Sequence, residues 1–408
     1  MRILFLLPYV PSPIRVRPYH LIRELARRHE IHVLATTPRG ELQYAEQLRS
    51  FCRRVDVVPL RRGASARSCF AAALRGEPLQ AAVCRGPELE RRLDASLVDH
   101  AFDLVHVEHL RVAHLRARIP DSLPTLFDSV DCISLLLDRA RRSSHSLWQR
   151  GVATLELQRT RAFEGAMLSR FDRVMATSTE DAGALQALAP SVDVAVVPNG
   201  VDLDYFRRAD EPREEATIVF SGKMSYHANA TAALFFARRI LPLVRGLLPE
   251  VRLRIIGSNP PRSVLSLSRD PLISVTGHVP DIRVGLRNAT IAICPVTVKV
   301  GIQNKILEAM AMGIPVVSTT LGIEGLAAVP GRDVMVADSP AEFAADVCRL
   351  IGDPALGERL GQAGRRYVEL HHRWDAAARK LETLYTEAIE RRTRSWLPAI
   401  ERLSASQA

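Results

Sequence analysis

The chain has 408 residues, 47% hydrophobic, 25% charged and 5% aromatic, with a formal net charge of +10. This length and balance predict two globular domains with sizeable cores and exclude a disordered or low-complexity chain. No uninterrupted apolar run approaches the roughly 18 residues of a membrane-spanning helix, and six cysteines without C-x-x-C or Cys/His spacing argue against a zinc module or disulfide scaffold and read as reduced cytoplasmic thiols.

In chain order, Ile3–Leu7 reads as a buried first strand. As the apolar core of a signal peptide it is too short and is broken by Pro8, Pro11 and Pro13. Further short β-rich runs follow at Ile31–Ala35, Val55–Val58, Leu104–Val107, Thr125–Phe127, Arg173–Ala176 and Val194–Val197, separated by helical or polar segments such as Tyr19–Arg28. After the charged stretch Arg207–Glu215 the alternation restarts with Thr217–Phe220, Arg252–Ile256, Ile273–Val275, Ile291–Cys294, Ile314–Val317 and Val334–Val336. Alternation of this kind builds parallel sheets, so the expectation is an α/β chain of two Rossmann-like, doubly wound domains, residues 1–206 and 207–374. Ser339-Pro-Ala-Glu342 is a capping box with proline at the first helical position. Leu381, Leu384, Tyr385, Ala388 and Ile389 give residues 375–408 one apolar helical face.

The positive charge is almost wholly arginine and mostly solvated surface. Arg53, Arg54, Arg61, Arg62 and Arg67, then Arg139, Arg141 and Arg142, nevertheless cluster in the N-terminal half, which suits anionic lipid headgroups at a cytoplasmic membrane face. Nucleic acid is not expected as a partner, because no recognition module and no basic patch interleaved with aromatics is present. The only lysines are Lys223, Lys299, Lys305 and Lys380.

The most informative segment runs from Gly301 to Ser318. Within it Glu308 is a lone carboxylate among Ile306, Leu307, Ala309, Met310, Ala311 and Met312, and a carboxylate in apolar surroundings needs a partner. On a helix, Gly301, Asn304, Lys305 and Glu308 fall at i, i+3, i+4 and i+7 and share a face. Open helical N–H groups after Gly301, a lysine and a hydroxyl-accepting carboxylate together suit a phosphate joined to a sugar. The plainer reading pairs Lys305 with Glu308 on an ordinary helix.

Leu307 to Val317 resembles the signature of the family-four retaining glycosyltransferases, the glycosyl transferases group 1. The resemblance implies a GT-B fold, two Rossmann-like domains facing a deep interdomain cleft, with the last helix crossing back to the first domain. It implies that Glu308 holds the ribose hydroxyls of a nucleotide-sugar donor while Gly301, Ile302, Gln303 and Asn304 bring helix amides to its diphosphate. Lys223, in Ser221-Gly-Lys223, takes the place of a basic residue that neutralises the leaving group, whereas the second basic residue usual in the family is missing; Lys299 and Lys305 are both candidates to replace it. Val300 stands where the family has a glutamate beside the donor sugar. Val197-Pro-Asn-Gly-Val-Asp202 looks like the family's domain junction and brings Asn199 towards the donor, or is simply a tight turn. Ile255-Ile-Gly257 and Thr276-Gly-His-Val279 resemble loops that meet the nucleobase, and Gly222, Gly257 and His278 join the donor-binding set. Lys223, Lys305 and Glu308 are the expected catalytic residues.

The N-terminal half should carry the acceptor. Arg15 and Arg17 follow the first strand, where they either meet a phosphate or form an exposed pair. Asp128 and Asp131 follow a later strand and are placed to contact acceptor or sugar hydroxyls. Cys132 beside them has no convincing base to make it a nucleophile. The expected activity is transfer of a sugar from a nucleoside-diphosphate sugar to a hydroxyl of a saccharide or lipid-linked saccharide, with retention, in exopolysaccharide or lipopolysaccharide assembly. No cofactor and no metal is expected, since no exposed carboxylate cluster lies beside the motif. Two other readings stay open. One is a nucleotide-sugar epimerase of the same architecture, and the other is a non-catalytic subunit that binds nucleotide sugars.

Overall fold

The computed structural model describes residues 1–13, 15–37, 42–60, 62–143, 147–208, 213–298 and 301–406. The chain forms two compact units, Met1–Pro198 with Trp374–Ala408, and Asn199–Arg373.

The first unit holds seven strands, β1 (Arg2–Leu7), β2 (Glu30–Thr37), β3 (Arg54–Pro59), β4 (Leu104–Glu108), β5 (Thr125–Asp128), β6 (Arg173–Ala176) and β7 (Val194–Val196), all parallel in the order β3-β2-β1-β4-β5-β6-β7. β1 and β4 are unbroken apolar or buried runs because helices cover both faces of the sheet. On one face Phe5, Leu7, Val33 and Leu104 pack against Leu21, Ile22 and Leu25 of α1 (Val16–Leu25). On the other, Leu4, Leu6, Val105, Val107 and Phe127 meet Leu89, Leu93 and Leu168.

The second unit repeats the plan with β8 (Thr217–Ser221), β9 (Arg252–Ile256), β10 (Ile273–Val275), β11 (Ile291–Cys294), β12 (Val316–Ser318) and β13 (Met335–Val336), parallel in the order β10-β9-β8-β11-β12-β13. Its helices include α2 (His227–Phe235), α3 (Asn304–Ala311) and α4 (Pro340–Gly352). The capping box at the start of α4 is formed: Ser339 Oγ accepts from Glu342 N, and the Glu342 carboxylate accepts from Ser339 N. Such caps are worth about 1 kcal/mol.

The final helix, α5 (Trp374–Ser406), belongs to the first unit, where Leu381, Leu384, Tyr385 and Ala388 join the face formed by α1. The first unit ends at Pro198 rather than at residue 206 because the following turn is tied to the end of the second unit. Val201 N donates to His372 O at 2.8 Å, and His372 Nδ1 donates to Asn199 O at 2.7 Å.

Candidate functional site

Ligands of open parallel sheets sit beyond the carboxyl ends of the strands, and in the second unit the loops there are stitched to one another. Gly222 N donates to Ile256 O at 2.9 Å, Met224 N to Ser258 O at 3.0 Å and Gly257 N to Gly277 O at 3.1 Å. Gly257 adopts φ +153°, and a Cβ there would lie 1.7 Å from Gly222 O. Only glycine lets the loops after β8 and β9 approach this closely.

α3 begins at Asn304, not at Gly301. Gly301 takes φ +57°, in the left-handed region, which bends the chain ahead of the helix. The shared helical face is therefore Asn304, Lys305 and Glu308, while Gly301, half-buried Ile302 and buried Gln303 form the turn that leads into it. No side chain caps the helix: Ile306 N donates to Gln303 O at 2.9 Å, and the N–H groups of Asn304 and Lys305 stay open among the described residues. Asn304 Oδ1 accepts from Asn199 Nδ2 at 3.2 Å, which ties the start of α3 to the Pro198–Asp202 turn.

Lys305 does not pair with Glu308. Its ammonium donates to Gln303 Oε1 at 2.7 Å and to Asn229 Oδ1 at 3.0 Å, because the side chain runs towards α2 rather than along its own helix. Glu308, half-buried, accepts no side-chain hydrogen bond among the described residues, and burial pushes its carboxyl up to about 7 despite the opposing charge of Lys305. Lys223 follows β8 and is exposed. His278 is exposed in the loop after β10. Lys299 and Val300 lie outside the described residues. One edge of the second unit thus carries open helix amides, two lysines and a carboxylate in search of donors, the complement of an anion joined to a polyol.

Two family models match the chain in succession: the one described as Glycosyltransferase Family 4 over residues 15–205, and the one described as Glycosyl transferases group 1 over residues 215–353. The chain belongs to this glycosyltransferase family. D-inositol 3-phosphate glycosyltransferase of Streptomyces avermitilis is 28% identical over 265 residues, covering 57% of this chain and 56% of that protein. The protein of the same name from Streptomyces bingchenggensis is 34% identical over 93 residues, covering 22% and 20%. The chain thus spans about half the length of the first relative, and less of the second. Sucrose-phosphate synthase from Thermosynechococcus elongatus has a similar structure, with a TM-score of 0.70, 15% identity and coverage of 95% of this chain and 99% of that one. Anabaena HepE in complex with UDP-glucose gives 0.66, 12%, 95% and 100%. These likenesses show the fold, GT-B.

The residues expected to meet an acceptor have unequal fates. Arg17 is not part of an exposed pair. It is buried, its Nε donating to Asp128 Oδ2 at 2.8 Å and its Nη1 to Val197 O at 2.9 Å. Asp128 is fully buried and also accepts from Val130 N at 2.9 Å, so both of its oxygens are engaged inside the unit. Arg15 lies half-buried with its guanidinium 4.3 Å over the Tyr9 ring, and half-buried Asp131 lies beyond β5. The arginine clusters are also less free than the sequence suggests, since Arg54 pairs with Asp56, Arg139 with Glu180, and Arg141 and Arg142 with Asp138. The side chains of Arg61 and Arg62 lie outside the described residues.

Sequence reasoning missed the buried polar layer under these loops. Tyr9 donates to Glu108 Oε1, and His106 Nδ1 meets Tyr385 of α5 at 2.8 Å. Burial and the nearby Asp128 charge raise the Glu108 carboxyl, and burial lowers His106 to about 4, so the imidazole is neutral. His106, Glu108 and Asp128 have ligand atoms within 4.8 Å of one another, but Arg17 already supplies the positive charge there. Cys132 is pushed up to about 12, chiefly by burial, which disfavours the thiolate that a nucleophile needs. Asn229 was missed too, although it carries the same signal as Glu308, a polar side chain buried in the alanine-rich helix His227–Phe235.

Proposed function

We propose that this protein transfers a sugar from a nucleoside-diphosphate sugar to a hydroxyl of a saccharide or lipid-linked saccharide, with retention, in exopolysaccharide or lipopolysaccharide assembly. The observation that carries the reading is Glu308, a carboxylate without a hydrogen-bond donor among the described residues, one helical turn from the open amides of α3 and from Lys305. A vicinal diol supplies the donors Glu308 lacks, and a diphosphate meets the amides and the lysine. UDP is the first nucleotide to try, since HepE is described in complex with UDP-glucose. Lys223 would stabilise the departing diphosphate and Asn199 would help hold the helix start against the donor, so catalysis is mainly positioning and electrostatics. Arg15 and Asp131 face the acceptor in this reading. Peripheral contact with an anionic membrane at its cytoplasmic face would bring the protein to a lipid-linked acceptor.

The test is a thermal-shift panel of UDP-, GDP- and dTDP-sugars on the wild type and on Glu308→Ala, because a ligand of the native state raises its melting temperature by mass action. One nucleotide class is expected to stabilise the wild type and to lose most of that effect in the variant. No shift in the wild type, or an equal shift in both, would sink the donor-site assignment. Turnover of the donor to an epimer without any acceptor would replace transfer by isomerisation.

A further inference from the structure

Lys305 is held in an unusual way. Both acceptors of its ammonium are neutral amide oxygens, Asn229 Oδ1 at 3.0 Å and Gln303 Oε1 at 2.7 Å, and both residues are buried, each 8% exposed. Neither amide can turn round without loss. Asn229 Nδ2 donates to Lys223 O at 3.0 Å and Gln303 Nε2 to Gly301 O at 3.2 Å, so a flip would set NH₂ against the ammonium and carbonyl against carbonyl. Backbone carbonyls thereby fix both amides with their oxygens facing the lysine. The contact is close on the other side as well, since a Cβ at Gly222 would lie 2.8 Å from Asn229 Nδ2.

The chemistry of this holder differs from that of an ion pair. Amide oxygens orient an ammonium and satisfy two of its three protons, yet they leave its charge uncancelled. No ion pair discharges Lys305 among the described residues. The lysine also sits in the first turn of α3, where the helix dipole disfavours a cation, while the N–H groups of Asn304 and Lys305 in that turn stay open among the described residues. A cation fixed against the local preference of its helix, beside open amides, makes sense for an anionic ligand that neutralises both. We propose that Asn229 and Gln303 are positioning residues that present Lys305 as an unneutralised cation to the diphosphate of the donor. Asn229 then links the two lysines of the site through its own amide, bonded to the backbone of Lys223 on one side and to the ammonium of Lys305 on the other. The inference rests on the donor-site reading and adds to it the residues that set the charge.

The test is isothermal titration of the full chain with UDP and UMP, and with the GDP and dTDP pairs, for the wild type, Asn229→Ala, Gln303→Glu, Lys305→Met and the Asn229→Ala/Lys305→Met double variant. Gln303→Glu keeps the shape and discharges the lysine, with loss of the hydrogen bond to Gly301 O. Asn229→Ala and Gln303→Glu should each weaken the diphosphate about tenfold or more, the scale of a charge-assisted hydrogen bond, and the monophosphate much less. In the Lys305→Met background Asn229→Ala should add nothing. If Asn229→Ala does not fold, Gln303→Glu alone decides. A wild type that binds no nucleotide overturns the donor reading and this inference together. A wild type that prefers the diphosphate, with Gln303→Glu equal to it or with diphosphate and monophosphate weakened alike, overturns the positioning role and leaves the donor site standing.

Discussion

Glu308 concentrates the residue-scale argument. A carboxyl raised by burial binds its proton more tightly in the folded chain than in the unfolded one, so the apo protein loses stability as pH rises from the ordinary carboxyl range through about 7. Only the ionised form accepts from both hydroxyls of a diol. Affinity for UDP-glucose, whose diphosphate diester keeps a fixed charge over this range, is therefore expected to increase from pH 6 to pH 8, and Glu308→Gln should bind more weakly with a flat profile. A wild-type profile as flat as that of the variant would show that Glu308 does not titrate against the ligand. The residue was legible in the sequence because a charge inside Ile306–Met312 breaks its local pattern. Its partner was not, since Lys305 at i, i+3 was the local candidate and the structure sends that lysine to Asn229, far away in sequence.

At the scale of elements, the thirteen strands among the described residues lie where the period and composition of the sequence put them, to within a few residues at their ends. Parallel strands buried on both faces are continuous apolar runs and are easily read. The start of α3 was read three residues early, because spacing alone cannot tell a helical Gly301 from one in a left-handed turn. The approach of the loops after β8 and β9 is likewise a property of two segments together. Gly257→Ala would force its Cβ into Gly222 O, at 1.7 Å, and the backbones must part. We expect a loss of roughly 2 kcal/mol or more by strain and overpacking, seen as a lowered denaturation midpoint with an unchanged m-value. An alanine variant as stable as the wild type would mean that these loops are free to separate.

For the whole molecule, no helix among the described residues is long and apolar enough to cross a membrane. The ion pairs of Arg54, Arg139, Arg141 and Arg142 narrow the surface left for lipid. The helix Arg62–Leu74 offers one such surface, with Phe70 68% and Leu74 76% exposed on the same face as the exposed Arg67. Arginine beside exposed apolar groups matches an anionic lipid surface and would repel a second copy of itself. Vesicles containing anionic lipid should retain the protein at low salt and release it as salt rises, and Phe70→Ser with Leu74→Ser should weaken retention severalfold. Equal binding to neutral vesicles, or an unaffected double variant, would count against membrane contact.

The sequence by itself determined the strands, the two-unit plan and the isolated charge at Glu308, because periodicity and a broken apolar run are properties of neighbouring residues. Only the tertiary structure decided which charges are spent and which are available. Arg17 is consumed by Asp128, while Lys305 meets two neutral amides and the face of Phe220 and, among the described residues, forms no ion pair. Those pairings join residues far apart in the chain, and the energy of a charge is set by what surrounds it in space.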